Sequence, residues 1–149
     1  MGSVKRVSIR RLDGLTLAAK GDSGHWITLD TAKKLEGNEG APAPMELLLT
    51  SLGGCTGMDV LSILKKMKQP VKDFCIELEG KQSAEHPRVY TRIDIVFIVE
   101  GDVEPAKLER AIELSQERYC PVTAMLKPTV DIRTNYRVET DGSTINTND

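Results

Sequence analysis

The chain of 149 residues has few aromatic side chains and no segregation of charge. It contains one Trp and two Phe, so we expect a core built mainly from aliphatic side chains. Its 20 basic and 22 acidic residues are spread along the sequence, without a basic run or stripe that could follow a phosphate backbone. This charge pattern disfavours nucleic acid as a partner.

The N-terminal residues lack the long apolar core of a secretory signal, and this predicts a cytoplasmic protein. The most apolar stretch, Pro44 to Leu64, is about as long as a membrane span. It nevertheless carries polar side chains that bilayer hydrocarbon would penalise, namely Glu46, Thr50, Ser51, Thr56, Asp59 and Ser62. We therefore interpret it as a buried core helix and expect no membrane association.

Three cysteines are present, and none lies in a C-x-x-C motif or at a Cys/His spacing typical of zinc sites. The sequence therefore indicates neither a disulfide scaffold nor a structural metal. It also lacks a Gly-rich phosphate loop, and we expect no bound cofactor.

The length suits one domain, which we expect over residues 1–140. The periodicity of apolar residues predicts an α+β fold. The predicted strands are Val4–Arg11, Leu15–Lys20, Trp26–Leu29, Val71–Glu79, Arg88–Glu100 and Val130–Val138. The predicted helices are Met45–Lys68, Pro105–Tyr119 and Val122–Leu126. One stripe of the second helix is formed by Leu108, Ile112, Ser115 and Tyr119. Residues 141–149 are polar, and we expect a frayed tail.

Cys55 lies in the middle of the longest predicted helix, within the sequence SLGGCTG at positions 51–57. Each of the three glycines there costs about 1 kcal/mol relative to alanine, so we expect a close neighbour, or access of a substrate to the sulfur, to require them. A free cysteine in such a helix is more often a small apolar filler than a nucleophile. The local sequence leaves both interpretations open.

Cys120 precedes Pro121, which places the cysteine at the predicted N-cap of a short helix. Free backbone N–H groups at that position can stabilise a thiolate, although a plain turn residue is the alternative. Cys75 lies on the polar face of a strand between Asp73 and Glu77, whose negative charges disfavour a thiolate. We interpret Cys75 as a bystander.

Two segments resemble the paired-cysteine signature of the OsmC/Ohr family. They are GAPAPMELLL at positions 40–49, which leads into Gly53-Gly54-Cys55, and Tyr119-Cys120-Pro121-Val122. The order of predicted elements agrees with that family over residues 4–139. The resemblance implies an OsmC-like fold, with antiparallel sheets packed on a long central cysteine-bearing helix. It also implies an intertwined homodimer with active sites at the subunit interface.

The resemblance implies a chemistry for the two cysteines. In the peroxidase members of the family, the first cysteine, here Cys55, is oxidised by an organic hydroperoxide to a sulfenic acid. The second, here Cys120, condenses with it to a disulfide that external dithiols reduce. The chain is thus expected to be a thiol-dependent peroxidase in oxidative stress defence, with an external thiol reductant.

Two supporting residues of the peroxidase pattern are displaced in this sequence. The place of the family's glutamate, ten residues before the cysteine, is Met45, and Glu46 lies about 100° further around the helix. The place of the expected arginine is Leu12, and Arg11 lies one residue earlier, on the opposite face of a strand. Arg11 and Glu46 are our candidates for supporting the thiolate. The pattern is more similar to the YhfA-like branch of the family.

Two further functions remain open. The same scaffold could hold a small apolar ligand at the dimer interface, with cysteines that are structural or redox-sensing, or the thiols could perform disulfide exchange. In each case we expect a homodimer, because a helix that is apolar nearly all round its first half needs more cover than one small α+β layer supplies.

Overall fold

A three-stranded antiparallel meander forms the first part of the chain in the computed structural model, which describes residues 2–140 and 143–146. Its strands are β1 (Val7–Asp13), β2 (Thr16–Gly21) and β3 (Trp26–Leu29). The turns between them contain Gly14 and Gly24, whose φ angles of 50° and 80° favour glycine. The predicted meander is confirmed, although β1 starts later than expected because β2 ends at Gly21, the partner of Val7.

The loop after β3 is organised around one buried carboxylate, that of Asp30, which is 2% exposed. Its oxygens accept hydrogen bonds from the backbone N–H groups of Thr31 (2.8 Å), Asn38 (3.2 Å) and Gly40 (3.0 Å), and from the Thr16 hydroxyl (3.0 Å). These bonds, above all that from Gly40, hold the pKa of the Asp30 carboxyl below its usual value. The sequence analysis did not identify this anchor.

The chain divides into two compact units, Met1–Leu48 and Leu49–Asp149, and the long helix α1 (Pro44–Lys66) runs from one into the other. The second unit contains a four-stranded sheet and the remaining helices. Its elements are β4 (Val71–Gln82), β5 (Tyr90–Gly101), α2 (Pro105–Leu114), a π-helical turn (Ser115–Tyr119), α3 (Pro121–Leu126), β6 (Asp131–Thr140) and β7 (Ser143–Asn146). The α+β class predicted from the sequence is confirmed.

The strand order of this sheet is β4-β5-β6-β7. β4 pairs with β5, and β6 with β7, in antiparallel fashion, but β5 and β6 are parallel. The expectation of purely antiparallel sheets is therefore wrong at this pair, because α2 and α3 form a crossover that brings the chain back in the same direction. Within the predicted tail, Ser143–Asn146 form β7, which pairs with β6. The other tail residues lie outside the described residues, and the frayed tail stays a prediction.

The core of the second unit lies between α1, the sheet and α2. Its fully buried side chains are Leu52, Val60, Leu64, Ile93, Ile95, Phe97, Val99, Leu108 and Val138. Among the described residues α1 is the one helix long and apolar enough to span a membrane, a criterion that core helices also meet. Because Leu52, Val60 and Leu64 are buried in this core, α1 fits the predicted core helix.

Candidate functional site

Cys55 is positioned by the close packing of α1 on β4. A Cβ atom on Gly53 would lie 2.6 Å from Leu78 Cδ1, and one on Gly57 would lie 2.6 Å from Ile76 Cδ1. These two glycines therefore let the helix approach the sheet, as the glycine pattern predicted, although the close neighbour is a strand. Cys55 itself is half-buried.

Cys120 is positioned by the π-helical turn that ends the second helical segment. The sequence predicted one helix over residues 105–119 with Tyr119 on its buried stripe, but α2 ends at Leu114 and Tyr119 is 50% exposed. The wider turn rotates the chain, and the Cys120 N–H then donates to the Ser115 carbonyl (2.9 Å). Cys120 is the N-cap of α3, as predicted, and its Sγ accepts from the Thr123 N–H (3.4 Å).

The structure brings the two predicted cysteines together. The side chains of Cys55 and Cys120 lie close enough to interact with each other, and the Val122 N–H lies within reach of the Cys55 sulfur. Cys75 lies elsewhere, exposed on β4 opposite Ile98, in agreement with its predicted polar face.

The pKa of the Cys55 thiol is raised above that of an ordinary thiol. Burial is the main cause, followed by the interaction with the neighbouring Cys120 side chain. The negative charges of a Cys120 thiolate and of Asp59 raise this pKa further, while the Val122 N–H lowers it. The reduced site is therefore dominated at neutral pH by the protonated Cys55 thiol.

A chain of polar side chains lies beside the cysteine pair, and the sequence did not single it out. The Thr56 and Ser115 hydroxyls are 2.8 Å apart, and Ser115 Oγ donates to Asp59 (3.0 Å). Gln116 Nε2 donates to Thr56 (2.8 Å), and Thr123 Oγ1 donates to Gln116 Oε1 (3.3 Å). One signal was available, since Ser115 is a polar residue on the predicted apolar stripe of its helix.

The two supporting candidates lie in the N-terminal unit. Arg11 is exposed on β1 and pairs with Leu17. Glu46 is in the first turn of α1, where its Oε2 accepts from the Ala43 N–H (2.7 Å). Their participation in the chemistry of Cys55 remains a prediction.

Comparisons with known proteins find a matching family and relatives that cover most of the chain. Residues 37–135 match a family described as OsmC-like protein. Protein YhfA of Escherichia coli is 41% identical over 133 residues, which cover 87% of this chain and 95% of that protein. The crystal structure of a hypothetical protein from Aquifex aeolicus is 40% identical, with a TM-score of 0.84 and coverage of 94% of this chain and 99% of its own.

A more distant structure has the same fold. It is a Legionella pneumophila protein described as an organic hydroperoxide resistance protein OsmC, a predicted redox protein and a regulator of sulfide bond formation. It is 15% identical, with a TM-score of 0.66, and the match covers 90% of this chain and 96% of that chain. At this identity the likeness concerns the fold alone.

Proposed function

Because the chain belongs to the OsmC-like family, we propose that it is a thiol-dependent peroxidase that reduces organic hydroperoxides through Cys55 and Cys120. The observation that carries this proposal is the proximity of the two thiols, which are brought together from α1 and the N-cap of α3. The 41% identity to YhfA supports membership of the YhfA-like branch. The name of the Legionella relative supports hydroperoxides as the substrate class and oxidative stress defence as the role.

The proposed reaction has two steps at the sulfurs. The Cys55 thiolate attacks the terminal peroxide oxygen, the O–O bond breaks, and the products are a Cys55 sulfenic acid and, after protonation, an alcohol. The Cys120 sulfur then attacks the sulfenic sulfur and displaces hydroxide, which leaves as water with the proton of the Cys120 thiol. An external thiol reductant returns the disulfide to two thiols.

The first step requires the Cys55 thiolate, but burial raises the pKa of the Cys55 thiol. The Val122 N–H within reach of this sulfur stabilises the anion, and we propose Arg11 and Glu46 as further support. We expect the first step to be slow at neutral pH and to accelerate as the pH rises, because the thiolate is the nucleophile.

We propose that the active form is a homodimer in the cytoplasm. Apolar side chains are exposed on β1, where Val7 is 66% and Ile9 58% exposed, and on α1, where Met58 is 70% and Leu61 38% exposed. Apolar surface of this kind suits contact with a second copy of the chain.

Mass spectrometry after treatment with a slight excess of an organic hydroperoxide tests the mechanism. We expect a Cys55–Cys120 disulfide with Cys75 still alkylatable. Cys55→Ser should abolish turnover, Cys120→Ser should accumulate sulfenic and then sulfinic Cys55, and Cys75→Ser is the matched control with parental behaviour. Parental turnover in Cys55→Ser, or Cys75 in the disulfide, would overturn the proposal.

A second candidate function is the binding of a small apolar ligand. A cleft of about 320 Å³ lies beside α1 and the π-helical turn. Its lining combines apolar side chains with a charged and polar edge: Ile63, Met67, Leu114 and Tyr119, with Asp59, Ser62 and Lys66. Ligand binding to the reduced protein that is unchanged in Cys55→Ser, together with absence of hydroperoxide turnover, would favour this function.

A further inference from the structure

The hydrogen-bond chain beside the cysteines runs in one direction. Its members, in order, are Thr123, Gln116, Thr56, Ser115 and Asp59. Both hydroxyls at its centre are fully buried, since Thr56 and Ser115 are 0% exposed. Buried hydroxyls need partners, and each member of this chain supplies the next.

The direction follows from the number of protons that each group carries. The Asp59 carboxylate can only accept, so the single Ser115 proton points to it. Ser115 Oγ can then only accept from Thr56, which fixes the donor in the bond of 2.8 Å between them. Thr56 in turn accepts from the Gln116 amide, whose oxygen accepts from Thr123. Each of these donors has one defined acceptor within the chain.

The hydrogen-bond chain connects three segments, of which two carry the thiols and the third lies between them in sequence. Thr56 follows Cys55 directly on α1, Ser115 and Gln116 lie in the π-helical turn, and Thr123 lies in the first turn of α3. Two of its members also hold Cys120 through their backbones. The Ser115 carbonyl accepts from the Cys120 N–H, and the Thr123 N–H donates to Cys120 Sγ.

We propose that this hydrogen-bond chain positions the Cys120 turn against α1, and thereby sets how fast Cys120 captures an oxidised Cys55. Thr56, Ser115, Gln116 and Thr123 are then positioning residues for the resolving step. The inference rests on the proposed function for its biological role. The positioning itself concerns only how often the sulfurs of Cys55 and Cys120 meet.

The positioning matters because two fates compete for a Cys55 sulfenic acid. Attack by Cys120 gives the reversible disulfide, whereas a second hydroperoxide gives the sulfinic acid. The first fate is intramolecular, so its rate depends on the fraction of time that Cys120 lies in reach of Cys55. Loosening the Cys120 turn should therefore increase over-oxidation.

A first experiment measures disulfide formation with diamide, an azo compound that takes two hydrogens from two thiols and needs no peroxidase activity. Thr56→Val keeps the shape of the side chain but removes its hydroxyl, and we expect it to slow Cys55–Cys120 disulfide formation about five- to tenfold, the factor for one hydrogen bond of ordinary strength. Thr56→Ser keeps the hydroxyl and should restore the parental rate. Glu117→Gln, an exposed change in the same turn, is the control and should match the parent.

A second variant guards against misfolding at a fully buried site. Gln116 is half-buried, and Gln116→Leu removes both of its hydrogen bonds and leaves an apolar side chain that is one atom shorter. We expect the same slowing as in Thr56→Val. Parental rates in both Thr56→Val and Gln116→Leu would overturn the proposal, as would a Thr56→Ser protein as slow as Thr56→Val, since packing would then explain the effect.

The hydroperoxide arm separates this inference from the proposed function. In single-turnover oxidation with an organic hydroperoxide, we expect the ratio of sulfinic acid to disulfide to rise in Thr56→Val and Gln116→Leu by the factor by which diamide oxidation slows. An unchanged ratio in variants that slow the diamide reaction overturns the role in capture. A parent that does not react with hydroperoxide overturns the proposed function, and the diamide rates still decide the positioning.

Discussion

Cys55 is surrounded by groups that oppose its ionisation and by one that favours it. Burial, the neighbouring Cys120 and the Asp59 charge raise its pKa, and the Val122 N–H lowers it. A half-buried thiol in this environment reacts slowly until it is deprotonated. The balance can be shifted by a single side chain, because Asp59 acts on the sulfur through its charge.

Asp59→Asn should lower the pKa of Cys55, because the change removes a negative charge and keeps an oxygen that can accept from Ser115. We expect the rise of the iodoacetamide alkylation rate of Cys55 to occur at lower pH than in the parent. Glu117→Gln removes an exposed carboxylate from the π-helical turn and should leave the profile unchanged. If the alkylation rate of Asp59→Asn rises at the same pH as in the parent or at a higher pH, the assigned role of this charge is contradicted.

Asp30→Asn should destabilise the protein at neutral pH, because four donors surround this carboxylate. The pKa of Asp30 is lowered in the folded state, so its contribution to stability is present above the unfolded value of about 3.9 and is lost as the pH falls towards the folded value. The stability difference between parent and Asp30→Asn should thus be constant near pH 7 and shrink below about pH 4. Urea unfolding at several pH values measures it, and a difference that grows with acidity would refute the assignment.

At the scale of elements, the packing of α1 on β4 depends on two of the three glycines around Cys55. A Cβ atom on Gly53 or Gly57 would force the side chain of Leu78 or Ile76 to shift, whereas a Cβ on Gly54 would meet nothing within 4 Å. The three glycines therefore differ in their surroundings although they lie on the same part of α1. This difference supplies a matched comparison within one helix.

Gly54→Ala should stabilise the protein by up to about 1 kcal/mol, the difference in helix propensity between the two residues. Gly57→Ala gains the same propensity but overpacks Ile76, at a cost of about 1–3 kcal/mol. We expect Gly57→Ala to be the less stable of the two in urea unfolding at equal protein concentration. A destabilised Gly54→Ala would indicate that another surface covers this exposed position in the native assembly.

At the scale of the whole molecule, the exposed apolar residues of β1 and α1 set the expected assembly. Sedimentation at micromolar concentration should show a dimer, and a monomer would contradict the proposed assembly. Leu61→Asp places a charge on the exposed face of α1 and should shift the protein towards monomer. Val89→Asp alters another exposed apolar residue, in the hairpin between β4 and β5, and should leave the dimer intact.

Local signals determined much of the fold. Asp13-Gly14 and the other glycine turns separate alternating strands, and β3 has the bounds that its residues predicted. Apolar residues that recur at helical spacing predicted α1. Pro121 predicted that Cys120 is an N-cap, and the structure confirms this. These features depend on interactions between residues that are close in sequence, so the sequence by itself could predict them.

Other features depend on partners that are distant in the chain. The end of α2 at Leu114 and the π-helical turn after it accompany contacts of Ser115 with Thr56 and Asp59, more than 50 residues earlier. The parallel pairing of β5 with β6 likewise joins distant segments. Helical periodicity therefore placed Tyr119 on one stripe with Leu108, Ile112 and Ser115; these three are buried, but Tyr119 is exposed.

The candidate site divides in the same way. The sequence determined that Cys55 lies on a glycine-lined helix and Cys120 before a proline, and resemblance to a family suggested that they act together. Only the tertiary structure brought the two sulfurs close together and joined Thr56, Ser115 and Gln116 by hydrogen bonds. The physical reason is that the pKa of a thiol depends on burial and neighbouring charge, and both come from chain segments that meet only in the folded protein.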